Sequence, residues 1–192
     1  MSRWRLRTKS PYTRKAVVVS HRIQPIAVRT SWMLDPRKAL EVLRYVVRRL
    51  GRRATPGRIL AIITLADRLH LERYGRFVST DSYLALQGGL VPRWIATWLY
   101  QARTRPRPHA HFRFQGARVI AKGTTDREQF SATDIECLQE TLVRFRRTAE
   151  AELRRHCVTP ACRTADALGE VSILSIAKTL PNAKDLLAYL DG

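Results

Sequence analysis

The sequence predicts a mostly α-helical α+β domain with one small β-hairpin in its second half. Three observations predict this. Asp35-Pro36 and Thr55-Pro56 each place a capping side chain before a proline and then an apolar run at helical spacing. Ser131-Ala132-Thr133-Asp134 is a capping-box start with Asp in place of the usual Glu. Between these helical stretches the period changes to short alternating runs, Phe112–Phe114 and Val119–Ala121, around Gln115-Gly116.

Taken in order, the first helix carries Leu40, Leu43, Val46, Val47 and Leu50 and stops at Gly51; its other face holds Arg37, Lys38, Arg44, Arg48 and Arg49. The second carries Leu60, Ile63, Leu65, Ala66 and Leu69 and ends at Gly75. Its first half is apolar almost all round, which predicts burial on several sides. Asp81 is expected to cap a short third helix through Tyr83, Leu84 and Leu86, and Pro92 to open a fourth with Trp94, Ile95, Trp98, Leu99 and Tyr100. After the hairpin, a long helix runs through Ile135, Leu138, Leu142, Val143 and Phe145. A short helix from Thr159-Pro160 to near Gly169 follows, and the tail holds two more, Ile173 to Leu180 and Ala183 to Leu190. This places a helical domain over residues 35–192. Residues 1–34, with eight basic residues and no acid, form a basic N-terminal arm or extension; a mitochondrial presequence is an alternative reading of the same composition.

The charge is the dominant compositional feature. Lys+Arg number 35 against 16 Asp+Glu, a formal net charge of +19, and most of the positive charge is arginine. Such a field attracts nucleic acid, an anionic membrane surface or an acidic protein, and the basic arm is the candidate contact for nucleic acid. The best candidate basic surface after the arm is Arg103, Arg105, Arg107, Arg113 and Arg118. Trp94 and Trp98, four apart on one helix, read as core rather than as a base-stacking platform. No run of 18 apolar residues predicts a membrane span. Three cysteines, an odd count without a secretory signal, point to a reducing cytoplasm.

Candidate chemistry is sparse. Asp67 and His70 share a helix face, but a helix leaving its core carries such residues on its wet end, so no catalytic role is assigned. His156, Cys157 and Cys162, with His109 and His111, lack the paired spacing of zinc ligands. No phosphate-binding glycine loop, metalloprotease or serine-hydrolase motif is present. The expectation is a non-enzymatic protein without cofactor or metal.

The central motifs do form an ordered set. Leu65-Ala66-Asp67-Arg68 is followed by Tyr74-Gly75, then Thr80-Asp81-Ser82-Tyr83-Leu84-Ala85, then Gly89-Leu90-Val91-Pro92. This order resembles the Panacea domain, the SocA-like antitoxin and phage-associated protein family. In that family a Tyr-Gly helix end precedes a Thr/Gly-Asp-x-Tyr-x-Ala element and then Gly-Pro-Val-Pro; Leu90 stands here where the family prefers proline. Phe130-Ser131-Ala132-Thr133-Asp134 is similar to the family's Leu-Ser-x-x-Asp helix start. His156 lies near its Ser/Thr-His position, while Cys162 stands near an expected aromatic. The resemblance covers roughly residues 33–190. It implies an antitoxin that binds and neutralises a cognate toxin encoded by an adjacent gene, with delivery to a protease in some members. Its scaffold residues would be Asp67, Tyr74, Gly75, Asp81, Tyr83, Gly89, Val91, Pro92 and His156. The alternative is a basic nucleic-acid-binding or phage-associated regulatory protein.

Overall fold

The computed structural model describes residues 34–104 and 110–191. Residues 1–33 of the basic arm, and Arg105, Arg107 and His109, lie outside the described residues.

Helix α1 spans Pro36–Leu50 and α2 spans Pro56–Tyr74. Both begin as the sequence predicts. Asp35 accepts from the amides of Arg37 and Lys38, and Thr55 from that of Arg58, so the orphan donors of each first turn are satisfied. Gly75 ends α2 in the left-handed conformation at φ 70°, and its amide donates to the Leu71 carbonyl. The apolar α2 is the central helix. It packs against α1, against α4 (Ala132–Arg144) and against α5 (Glu150–Cys157), and Ile59, Ile62, Ile63 and Ala66 are buried among them.

Two corrections concern the middle of the chain. Tyr83–Leu86 is not a helix but strand β1, and it forms a hairpin with β2 (Gly89–Pro92), Tyr83 facing Pro92 and Leu86 facing Gly89. β1 also pairs with β5, Glu170–Val171, giving an antiparallel sheet in the order β2-β1-β5. The hairpin foreseen in the second half is present as well, as β3 (Phe112–Gln115) and β4 (Arg118–Ala121). The first hairpin is hidden from periodicity because a four-residue apolar run is too short to separate strand from helix. The segment foreseen as a helix from Thr159-Pro160 to near Gly169 is a single 3₁₀ stretch, Pro160–Thr164.

Helix α3 covers Arg93–Thr104, and the tail folds as α6 (Ile173–Ala177) and α7 (Ala183–Asp191). Helix α4 starts from the reciprocal capping box foreseen at Ser131 and Asp134. One hydrophobic cluster lies among α1–α5 and the β3–β4 hairpin. A second joins Leu71, Phe77, Tyr83, Leu90 and Val171 to Ile176, Leu180 and Leu186 of the tail.

Candidate functional site: a buried carboxylate frame

Asp67 and His70 do not sit on a wet helix end. Both side chains are fully buried, and they face different partners. The Asp67 carboxylate accepts from the Ser79 amide at 2.8 Å, from the Ser79 hydroxyl, and from the Tyr83 hydroxyl at 2.6 Å. Tyr83 is buried with its ring 5.0 Å from that of Phe77. One carboxylate thereby ties α2 to the connection after it and to β1. No cation among the described residues contacts it, and burial pushes its pKa up to about 6 against the pull of those hydrogen bonds. Burial beside Asp67 raises the Tyr83 pKa well above its usual value, which keeps the phenol a donor.

Asp81 caps a helix as its residue type predicts, but a different one. Its two oxygens accept from the amides of Trp94 and Ile95, both at 3.0 Å, so it satisfies the first turn of α3 across the β1–β2 hairpin. Burial raises its pKa to about 6 as well, and the Asp67 charge adds to the shift. Between the two carboxylates stands Thr80 at φ 54°, the one non-glycine residue with positive φ among the described residues. Its hydroxyl donates to the Ser79 carbonyl at 2.7 Å and accepts from the Asp35 amide at 3.1 Å, which couples this turn to the start of α1.

Gly89 marks the closest backbone approach. Its φ is 103°, and a Cβ there would lie 2.5 Å from both the carbonyl carbon and oxygen of Cys157, at the end of α5. Beside it Leu90 is buried, Val91 half-buried and Pro92 buried. The Thr64 hydroxyl, 3.3 Å from the Leu90 carbonyl, joins α2 to β2.

His70 belongs to a second buried cluster, which the sequence does not announce. Its Nδ1 donates to the Arg76 carbonyl at 2.9 Å; its Nε2 lies 3.1 Å from the Thr133 hydroxyl and 3.3 Å from Asp134. Burial lowers the His70 pKa, so the ring is neutral at pH 7 and the proton sits on Nδ1. Asp134 also receives Lys38 at 2.6 Å and Arg76 at 3.0 Å. Burial acts to raise its pKa, but Lys38, the Ser131 amide and Arg76 outweigh burial and hold it below the usual carboxylate range. Lys38 is therefore not a solvated residue of the α1 outer face.

The other foreseen positions are peripheral. Tyr74 is partly exposed and donates to Glu136 at 3.1 Å. His156 is exposed, its ring 5.3 Å from that of Phe145 and its carbonyl bonded to Arg68. Of the candidate basic surface, Arg103 lies over the Phe114 ring, Arg113 is exposed, and Arg118 donates to the Gly51 carbonyl. Trp98 packs against the core, whereas Trp94 is partly exposed with Arg93 beside its ring. Among the described residues no group of three His, Cys, Asp or Glu side chains is placed to hold a metal. Burial raises the thiols of Cys137 and Cys157 to about 11 and about 12, which makes both poor nucleophiles. No described helix is long and apolar enough to cross a membrane.

No family model, curated protein or solved structure matches the chain. Asp67, Asp81, Tyr83 and Gly89 each tie the β1–β2 hairpin and the segment before it to a neighbouring helix: Tyr83 bonds the Asp67 carboxylate of α2, Asp81 takes the first amides of α3, and Gly89 lies against the backbone at the end of α5.

Proposed function

We propose that residues 35–192 form a Panacea-like antitoxin module, which neutralises a partner toxin by direct contact and performs no chemistry of its own. The observation that carries this reading is the conformation of Thr80. In the resembled family this position alternates between Thr and Gly, and here it holds φ 54°, a backbone state that glycine adopts freely. The flanking motif residues support the same reading, because their polar atoms are engaged in holding secondary structure together rather than facing a cavity. The Asp67 oxygens are taken by Ser79 and Tyr83, and those of Asp81 by the α3 amides. A cytoplasmic setting and hand-over of the bound toxin to a protease are the finer parts of this proposal.

Co-expression with the product of the adjacent gene tests it. Asp67→Asn combined with His70→Gln is expected to retain protection and pull-down of the partner wherever the thermal midpoint is retained. Loss of protection with binding and stability intact would indicate proton transfer by these groups and overturn the reading.

A further inference from the structure

The positive charge of the described domain is not spread evenly. At the C-terminal end of α1 and in the 3₁₀ turn after it, Arg48, Arg49, Arg52 and Arg53 follow one another on the surface, all exposed. Arg49 and Arg53 line a groove of about 670 Å³ between this end of α1 and the outer face of α4, and Arg146 lines its far wall. The groove continues past Arg49 into two neighbouring depressions of about 410 and 270 Å³, both lined by Arg127. No Asp or Glu lines any of the three.

Among the described residues these arginines are also without anionic partners. The ion pairs of the described residues engage Lys38, Arg44, His70, Arg73, Arg76, Arg93 and Arg154, and none of the groove arginines. Asp126 and Glu128 flank Arg127 in sequence without lining the groove, and the Asp126 carboxylate is occupied by the Glu128 amide and Gln129. The contacts that do exist hold cations together rather than neutralising them. Arg53 donates to the Arg146 carbonyl at 2.6 Å, which fixes the end of α4 beside the 3₁₀ turn, and Arg49 lies 5.3 Å over the Tyr45 ring. Like charges gathered this way repel one another in the free protein, and a polyanion relieves that repulsion.

We infer that this groove binds the phosphate backbone of nucleic acid, without reading its sequence. Guanidinium forks match phosphate oxygens bidentately. A folded protein partner fits less well, because its interface needs a desolvated apolar centre. The apolar lining of the groove of about 670 Å³ is Leu50, Leu142 and Val143, of which Val143 alone is strongly exposed, and the large apolar residues of the neighbouring depressions, Tyr45, Phe130 and Ile135, are buried or half-buried. Arginine contacts to phosphate oxygens carry no sequence information. The neighbouring aromatics, Tyr45 and Phe130, are buried or half-buried, which leaves no open ring for an unpaired base to stack on. The inference does not depend on the antitoxin reading.

The test uses the full chain and a fluorescent mixed-sequence DNA duplex, titrated over a series of salt concentrations. One variant carries Arg48→Gln, Arg49→Gln, Arg52→Gln and Arg127→Gln; Arg53 is kept because it holds the Arg146 carbonyl. A second removes the same charge from the arm, with Arg3→Gln, Arg5→Gln, Arg7→Gln and Lys9→Gln. Each lost phosphate contact lowers the slope of log affinity against log salt by about 1, so the groove variant is expected to flatten the slope by about 3 to 4 and to weaken binding on the order of 100-fold. The arm variant is expected to change affinity by less than about 3-fold, and Arg→Lys at the four groove positions to retain most of it. Thermal melts of all three accompany the titration. Equal losses in the arm and groove variants, or no loss in a folded groove variant, overturn the inference. So does a groove variant that keeps DNA affinity but no longer captures the co-expressed toxin, since the surface would then belong to a protein partner.

Discussion

Gly89→Ala is the sharpest probe of the junction, because its cost has two separable parts. The residue sits at φ 103°, where an added Cβ strains the backbone by about 1–3 kcal/mol. That Cβ would also lie 2.5 Å from the Cys157 carbonyl and 2.8 Å from the Val158 nitrogen. All of these are backbone atoms, so no rotamer change relieves the overlap; β2 must move away from the end of α5. The combined loss is expected at about 3–5 kcal/mol, in the range of severe core changes. Gly116→Ala supplies the control. It has φ 59° in the β3–β4 turn with no atom within 4 Å of the added Cβ, so only the conformational part applies, about 1–2 kcal/mol. In a domain of this size 1 kcal/mol moves the midpoint by roughly 2–4 °C. Gly89→Ala should therefore melt roughly 6–20 °C below the wild type, and Gly116→Ala roughly 2–8 °C below it. Urea unfolding of both variants at one pH checks the free energies. If Gly89→Ala is no worse than Gly116→Ala, the close approach of β2 to α5 is wrong, and the scaffold role of the Gly89 motif falls with it.

Three further outcomes follow. Asp81→Ala removes both acceptors from the first turn of α3 and should cost about 1–2 kcal/mol by urea unfolding; an unchanged midpoint would show that the cap contributes nothing. Asp67 has a folded pKa raised from 3.8 to about 6, so its contribution to stability is fully present below about 4 and is lost as pH rises through about 6. His70, with a lowered pKa, acts in the opposite sense below 6.5, so the comparison is with Asp67→Asn: the wild type should gain stability relative to that variant as pH falls from about 6 to about 4, and parallel curves would refute the shift. Metal analysis of the purified protein should find well below one zinc per chain, whereas stoichiometric zinc with unfolding by a chelator would refute a metal-free fold.

The parts of this fold that depend on neighbouring residues are written openly in the chain. Asp35-Pro36, Thr55-Pro56 and the Ser131–Asp134 box act within one helical turn, and each caps the helix it precedes. The parts that depend on distant partners are not. β5 is two residues long and pairs with β1 through Glu170 and Val171, which no local period can signal. Asp81 shows the boundary between the two cases. Its type identifies it as a cap, but the amides it serves lie 13 and 14 residues onward, not two or three. Asp67 and His70 carry the opposite lesson. Their polarity places them at a solvated helix end, while tertiary packing buries both because Ser79, Tyr83 and Thr133 supply the hydrogen bonds that burial demands. Asp134 is visible as half of a capping box, yet its second role, receiving Lys38 from α1 and Arg76 from the segment after α2, requires three elements to converge.

That placement of the acids also bears on the surface. Among the described residues Glu41, Asp67, Asp81 and Asp134 are buried, so these four carboxylates lie inside the domain. Asp67 and Asp81 neutralise no arginine there, since their partners are amides and hydroxyls. The excess of positive charge at the surface therefore exceeds what composition implies, and the exposed guanidinium groups have fewer anions to meet. The remaining acids that pair with arginines, Glu136 and Glu140 with Arg73, Glu150 with Arg154 and Glu170 with Arg93, do not line the groove. The separation of a carboxylate-framed interior from an arginine-rich groove follows from where these acids fold. It links the two proposals physically: the acids engaged in holding elements together are not available to the arginines of the α1–α4 surface.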